Sequence, residues 1–433
     1  MSSSPRYVST RGAGAPVSFE DALLKGLAPD GGLYVPEEIV AIPPDLWRQA
    51  SDFPSMGVAV LQRWLAGQLN DGAVESVVRD ALNFPVPLVR LQGGGWDDVF
   101  VLELFHGPTL SFKDFGARTM ARFMGHFLDR RDDRLTILVA TSGDTGSAVA
   151  DGFSGQQRVQ VGLLYPKGQV SPVQERQLIV KRPGVRSFAV RGTFDDCQRM
   201  VKEAFMDPGL THLRLSSANS INIGRLLPQM LYYFESFRIG PFADAVVCVP
   251  SGNLGNLTAG VMASLSGLPV RRFIAAHNAN DFFPGHLQTG STTYRPSVRT
   301  LSSAMDVGVP SNFERLRHFL PLEIMRDRIS ATSVTDEDTR RTIREVYDQT
   351  GYLADPHTAV GLRAVQRFRE AGGGRGPVVV ASTAHPAKFP EIVEPVVGFD
   401  VPMPEALRVL WDRETFVLEV EPEVKALAAA LGA

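Results

Sequence analysis

Two short stretches of the 433-residue chain place side chains and backbone where they can do chemistry. From Phe105 the sequence runs FHGPTLSFKDFGA, in which Phe105, Leu110, Phe112 and Phe115 surround Lys113 with apolar bulk at the start of an expected helix. Desolvation favours a neutral amine, the form that makes Schiff bases. A plainer reading pairs Lys113 with Asp114 at the helix start, and the spacing leaves both open. At 251–256 Ser-Gly-Asn-Leu-Gly-Asn lies between an apolar run and a helical stretch. Gly252 and Gly255 permit close backbone approach, and consecutive N–H groups at a helix start make an anion nest. The loop matches neither GxGxxG nor GxxxxGK[ST], so dinucleotide and nucleoside-triphosphate readings lack their fingerprints. The chain uses seven lysines against 37 arginines. A lysine in an apolar segment is therefore a candidate for amine chemistry, which a guanidinium cannot perform.

The composition narrows what such groups can serve. Hydrophobic residues are 44% and charged residues 21%, the values of a globular chain, which excludes disordered, collagenous and disulfide-knot classes. A net charge of −3 leaves no basic excess for nucleic acid. Cys197 and Cys248 sit in apolar stretches, which implies a reducing compartment without structural bridges. No apolar leader or run of membrane-spanning length occurs, and a cytoplasmic protein is expected. The histidines show neither HxH nor HExxH spacing, so no metal is assigned.

The elements that position these groups follow from the pattern of apolar runs. Residues 1–95 are turn-rich and form an N-terminal lobe, with helical spacing at Val58, Leu61, Leu65 and Leu69. Beyond it, strands are expected at 99–104, 135–140, 159–164, 187–191, 245–249, 272–277 and 378–382, separated by helices. Continuous apolar strands of this kind belong to parallel sheets covered on both faces. The fold class is α/β, with two parallel-sheet domains at 96–235 and 236–433 around a cleft. LTILVA, AVVCV and VVVA are each followed by a small polar turn and a helix, which puts N–H groups at a sheet's carboxyl edge, where anions bind. The AGGGRG segment at 371–376 precedes a strand and reads as a loop, and 337–350 reads as an amphipathic helix with a solvated face.

FHGPTLSFKDFGA, TSGDTGSA (141–148), SSANSINIGR (216–225), VPSGNLGNLTAG (249–260) and STAHPAKF (382–389) stand in the order of the motifs of the threonine synthases. The chain resembles that family of fold-type II (tryptophan synthase β-like) pyridoxal-phosphate enzymes, in its longer fungal and bacterial class. The resemblance extends to YVSTRG (7–12), LAPDGGLYVP (27–36), LYPKGQVSPVQERQ (164–177) and SSAMDVGVPSNFER (302–315). It implies that Lys113 carries pyridoxal 5′-phosphate as a Schiff base and moves protons between substrate carbons. It implies that Gly252, Asn253, Leu254, Gly255 and Asn256 hold the cofactor phosphate through backbone N–H groups. Thr383 would hydrogen-bond the pyridine nitrogen. Thr141, Ser142 and Thr145 would take the substrate α-carboxylate, and Asn219, Ser220, Asn222 and Arg225 the substrate phosphate. Asp144 departs from the wider fold type, where an asparagine faces the cofactor's 3-oxygen. An ionised carboxylate only accepts hydrogen bonds, so Asp144 needs a protonated phenol or another partner, or simply caps the helix expected from Gly146. Lys388 is the rival for the Schiff base.

The implied reaction converts O-phospho-L-homoserine and water to L-threonine and phosphate. Protons leave Cα and then Cβ, phosphate departs by γ-elimination, water adds at Cβ, and Cα is reprotonated. Three alternatives share parts of this pattern: a phospholyase releasing 2-oxobutanoate, ammonia and phosphate, a serine or threonine dehydratase, and a non-catalytic ligand-sensing protein. The absence of an evident apolar surface helix implies a monomer or weak homodimer.

Overall fold

The computed structural model describes residues 4–141 and 143–432. At the N-terminus β1 (Tyr7–Ser9) pairs antiparallel with β2 (Tyr34–Pro36), and the helices Phe53–Trp64 and Asp71–Ala81 pack on one another. Both helices start on side-chain caps: Asp52 Oδ1 accepts from Ser55 N and Asn70 Oδ1 from Ala73 N, each at 2.8 Å. The apolar spacing from Val58 reaches past the end of the first of them. That helix stops at Trp64, and Gly67 turns the chain at a φ of 72°.

The strands that follow are β3 (Leu88–Arg90), β4 (Val99–Glu103), β5 (Leu135–Ala140), β6 (Val159–Pro166), β7 (Val185–Val190) and β8 (Leu215–Ser216). Later come β9 (Ala245–Pro250), β10 (Val270–His277), β11 (Ile329–Ser333), β12 (Val378–Ser382) and β13 (Leu418–Val420). The seven strands expected from the apolar runs are all present, some with ends moved by one or two residues. They form a six-stranded sheet in the order β11-β10-β9-β12-β4-β3 and a five-stranded sheet in the order β13-β7-β6-β5-β8. All pairings in these two sheets are parallel except β3 with β4. β5, β9 and β12 are buried along their whole length, as strands covered on both faces must be.

The two sheets do not follow the contiguous blocks 96–235 and 236–433. β3 and β4 join the sheet of the later half, and β13 returns to pair with β7. β4 pairs with β12 and β3, and its side chains are buried on both faces, Phe100 and Leu102 in one core cluster and Val99 and Val101 in another.

Between the sheets runs the helix Ile223–Ile239, in which every residue from Ile223 to Phe237 is buried. It packs on the helices Phe53–Trp64, Lys113–Arg131 and Gly255–Leu265, and so joins the N-terminal lobe to the two elements that present Lys113 and the 251–256 loop. The helix Lys113–Arg131 also lies against the helix Asp144–Phe153 at backbone contact. A Cβ at Gly152 would stand 3.0 Å from the Ala117 carbonyl carbon. The helix Asp336–Thr350 is amphipathic as expected, with Asp338, Thr339, Thr342, Ile343 and Val346 buried. Among the described residues no helix is long and apolar enough to cross a membrane.

Gly152→Ala should lower unfolding stability by about 1–3 kcal/mol, since backbone cannot yield as a flexible side chain can. Urea denaturation against the wild-type chain measures this.

Candidate active site

The carboxyl ends of β5, β9 and β12 open on one cavity of ≈ 200 Å³. Lys113, Thr141, Thr145, Asn219, Ser220, Arg225, Gly252, Asn253, Leu254, Gly255, Asn256 and Thr383 all line it. Fifteen residues were expected at a site, and these twelve come together from five separated parts of the chain. Ser142 lies outside the described residues. Asn222 and Asp144 are not among the lining residues, and each has another place.

Lys113 is the first residue of its helix and is half-buried at the cavity wall, its Nζ 5.9 Å from the centre of the Phe112 ring. Burial lowers its pKa to about 8; Asp144 opposes the shift and Lys388 and Arg225 add to it. Near neutrality the amine is therefore within reach of its uncharged form. The pairing of Lys113 with Asp114 does not occur. Adjacent residues on a helix do not face each other. Asp114 Oδ2 accepts instead from Thr109 N at 2.9 Å and Oδ1 from Thr109 Oγ1 at 2.6 Å, closing the segment that leads into the helix. Burial raises the Asp114 carboxyl to about 7 against those two hydrogen bonds.

The loop after β9 has the form of an anion cradle. Leu254 takes the left-handed φ of 59° and no side chain caps the helix that starts at Gly255, so the first-turn N–H groups face the cavity end without intrahelical acceptors. A Cβ at Gly252 would lie 2.6 Å from Met305 Cα, and only glycine fits there. Asn253 spends its side chain on the scaffold: Nδ2 donates to Ser220 Oγ at 2.5 Å and Oδ1 accepts from Ser311 N at 2.6 Å. Asn256 Oδ1 accepts from both Tyr232 and Tyr233 hydroxyls at 2.5 Å, which turns its amide donor away from them. Asn256 Nδ2, Arg225 Nε and Asn219 Oδ1 are buried with no hydrogen-bond partner among the described residues. The two donors among them, Asn256 Nδ2 and Arg225 Nε, fit a ligand that brings acceptor oxygens, as a phosphate does, whereas Asn219 Oδ1 is an acceptor.

Arg225 is buried, with Nη1 donating to Ala218 O at 2.7 Å, and burial lowers its pKa to about 10. Gly116 makes room for it, since a Cβ there would stand 2.7 Å from Arg225 Nε. Thr141 lines the cavity, yet its Oγ1 already accepts from Gly143 N at 3.0 Å and Gly146 N at 2.9 Å, so it shapes the turn. Asn222 is the N-cap of the helix Ile223–Ile239: Oδ1 accepts from Gly224 N at 2.9 Å and Nδ2 donates to Leu23 O at 2.8 Å and Ser217 O at 3.1 Å. With both ends of the amide committed, it supports the 216–221 segment in place of binding phosphate. Asp144 does not cap a helix either. The helix starts at Asp144 itself, with Gly143 as an N-cap that has no side chain to offer. Its carboxylate pairs with Lys388 Nζ at 2.7 Å, and Lys388 is thereby occupied and is no rival to Lys113.

Two residues were not singled out from the sequence, although Arg315 closes the 302–315 motif. Arg315 is fully buried and ties the site together, donating to Tyr34 O at 3.0 Å, Ser220 O at 3.0 Å, Ile221 O at 2.5 Å and Asn312 Oδ1 at 2.7 Å. His357 lines the cavity, with Nδ1 2.7 Å from Asp355 Oδ1 and Nε2 accepting from Ala304 N at 3.2 Å. Its histidine spacing gave no hint of this, although the 302–315 motif flagged the loop that it holds.

The sequence profile described as pyridoxal-phosphate dependent enzyme matches residues 81–383. Fold and site together define a fold-type II pyridoxal-phosphate enzyme, an α/β lyase whose cofactor is pyridoxal 5′-phosphate. Profiles described as threonine synthase N terminus and threonine synthase, C-terminal, match residues 6–82 and 358–431. The Escherichia coli K12 threonine synthase is 42% identical over 398 residues, covering 90% of this chain and 91% of that one. The solved pyridoxal-phosphate-bound threonine synthase of Brucella melitensis superposes with a TM-score of 0.92 at 37% identity, covering 99% of both chains. The yeast enzyme's structure gives 0.92 at 31% identity, covering 100% of this chain and 99% of that one. The chain belongs to the threonine synthase family.

Gly252→Ala should weaken pyridoxal-phosphate binding at least tenfold, about 1.4 kcal/mol, by forcing the Met305 segment off the loop. An absorbance titration of the cofactor-free chain checks this.

Proposed function

We propose that the chain converts O-phospho-L-homoserine and water to L-threonine and phosphate, in the cytoplasm, as a monomer or weak homodimer. The observation that carries this reading is the cavity itself, in which the Lys113 amine shares one wall system with a helix start and with an Arg225 Nε that has no partner among the described residues. Those groups offer more anion-binding capacity than the cofactor phosphate alone requires, as a substrate with its own phosphate needs. Two buried thiols without a bridge, Cys197 and Cys248, support the location. Exposed large apolar residues such as Met206, Val309 and Phe416 lie on separate elements, which supports the small assembly.

Pyridoxal phosphate supplies the electron sink for charge developing at the substrate carbons. Its phosphate end would be held by the N–H groups of 252–256, and its ring nitrogen by Thr383. Lys113 would carry it, and then take the Cα proton, move a second proton from Cβ, and return one at Cα. An amine with a pKa near 8 exchanges protons at little cost in either direction. Thr145 and the N–H groups of the turn shaped by Thr141 would hold the α-carboxylate at a helix start, where the dipole favours negative charge. Arg225, Asn219 and Ser220 would hold the departing phosphate. Closure of the cleft would admit one water to Cβ and exclude the rest, since premature hydrolysis diverts the product to 2-oxobutanoate.

Incubation with pyridoxal phosphate and O-phospho-L-homoserine, followed by NMR and a phosphate assay, should give threonine in step with phosphate. Phosphate accompanied by 2-oxobutanoate would overturn the assignment in favour of the phospholyase. Lys113→Ala should abolish turnover while the chain stays folded by circular dichroism. Arg225→Ala should cost about 2–3 kcal/mol in kcat/KM toward the phosphorylated substrate, the value of a charged hydrogen bond, mostly through KM.

A further inference from the structure

Asp144 and Lys388 are the two charged residues of the site motifs left without a function, and the fold sets them against each other. Lys388 Nζ lies 2.7 Å from Asp144 Oδ1 and donates to Thr109 O at 2.9 Å. Asp144 Oδ1 also accepts from Gln174 Nε2 at 2.9 Å, and Gln177 Nε2 donates to the same Thr109 carbonyl at 3.0 Å. These contacts join the turn after β5, the turn after β12 and the segment that leads into Lys113. A buried ion pair stabilises a fold weakly at best, because desolvating both ions costs about what their attraction returns. Its place beside the reactive amine points to an electrostatic purpose.

We propose that Lys388 is a positioning residue that occupies the Asp144 carboxylate and so denies Lys113 an anionic partner, keeping the Lys113 amine able to lose its proton. The proposal rests on the reading of Lys113 as the reactive amine. Asp144 favours the ammonium form of Lys113, while Lys388 and Arg225 oppose it. Lys388 is faced by Asp144, and more distantly by Asp114, His385 and Lys113. Burial opposes ionisation of Asp144, but the Lys388 and Lys113 charges and the hydrogen bonds from Lys388 and Gln174 hold it below the usual carboxylate range. Removing the Lys388 charge lifts a repulsion from Lys113 and frees Asp144 to pair with it. Both effects favour the ammonium. Removing the Asp144 charge acts in the opposite sense.

The test uses the full chain freed of cofactor and follows the rate of pyridoxal-phosphate uptake by absorbance across pH, since only a neutral amine attacks the aldehyde. Lys388→Met should move the midpoint up by about one pH unit or more, Asp144→Asn should move it down, and the double variant should return it toward wild type. A midpoint unmoved in the folded variants, or moved in the same direction by both, overturns the proposal and leaves the pair a structural contact. Should Lys388→Met not fold, the direction of the isosteric Asp144→Asn shift decides by itself. Lys113→Ala separates the two readings. Unchanged pH-dependent uptake in that variant would remove Lys113 as the amine, whereas uptake that needs Lys113 but ignores Lys388 and Asp144 would remove the present inference alone.

Discussion

The cleft is organised around buried cations with too few anions among them. Lys388, Arg225 and Arg315 are deeply buried and Lys113 is half-buried beside them, and burial of a charge is costly unless hydrogen bonds or a counter-charge offset it. The structure answers each case differently. Arg315 is satisfied by three carbonyls and the Asn312 side chain, Lys388 by Asp144 and one carbonyl, and Arg225 in part by the Ala218 carbonyl. Lys113 is stabilised least, and burial pushes its pKa down to about 8. The resulting deficit of negative charge is what a phosphorylated cofactor, and on the proposed reading a phosphorylated, carboxylated substrate, would complete.

The fold delivers those groups by bringing strand ends together. Each of β5, β9 and β12 ends in a short turn at the cavity, and the next segment starts with N–H groups aimed along its axis. Backbone must come very close for this to work, and the glycines mark where: Gly252 against Met305, Gly116 against Arg225 and Gly152 against Ala117. The helix Ile223–Ile239 carries Arg225 in its first turn and Tyr232 and Tyr233 two turns later, so one buried element both contacts the ligand space and aims the Asn256 amide. Arg315 then fastens the N-terminal lobe to the 220–221 segment through Tyr34 O.

Burial also separates residues of one type into different duties. Asn253 and Asn256 sit in the same loop, yet the first holds Ser220 and Ser311 while the second is held by two tyrosines and leaves a donor free. Asp114 and Asp144 each follow a turn into a helix, but Asp114 meets only neutral donors and its carboxyl rises to about 7, whereas Asp144 meets lysine and stays ionised. Side-chain identity does not predict this. Partners do.

The strands, the lysine that lines the cavity, the glycine loop and the family were legible in the sequence because they are local: apolar runs of five or six residues, a lysine among aromatics, two glycines three apart, and motifs in a constant order. What only the tertiary structure decided is the pairing of groups far apart in the chain. Asn222 looked like a phosphate ligand and is a helix cap, because Leu23 and Ser217 reach its amide first. Asp144 looked like a cap or a cofactor contact and is the counter-ion of Lys388, 244 positions away. The contiguous domain blocks gave way to interleaved sheets for the same reason, since the backbone of β4 pairs with β12 and β3 wherever they lie in the chain. Hydrogen bonding and charge pairing are decided by which groups meet inside a medium that water does not reach. Spacing along the chain does not contain that information when the partners come from different strand ends.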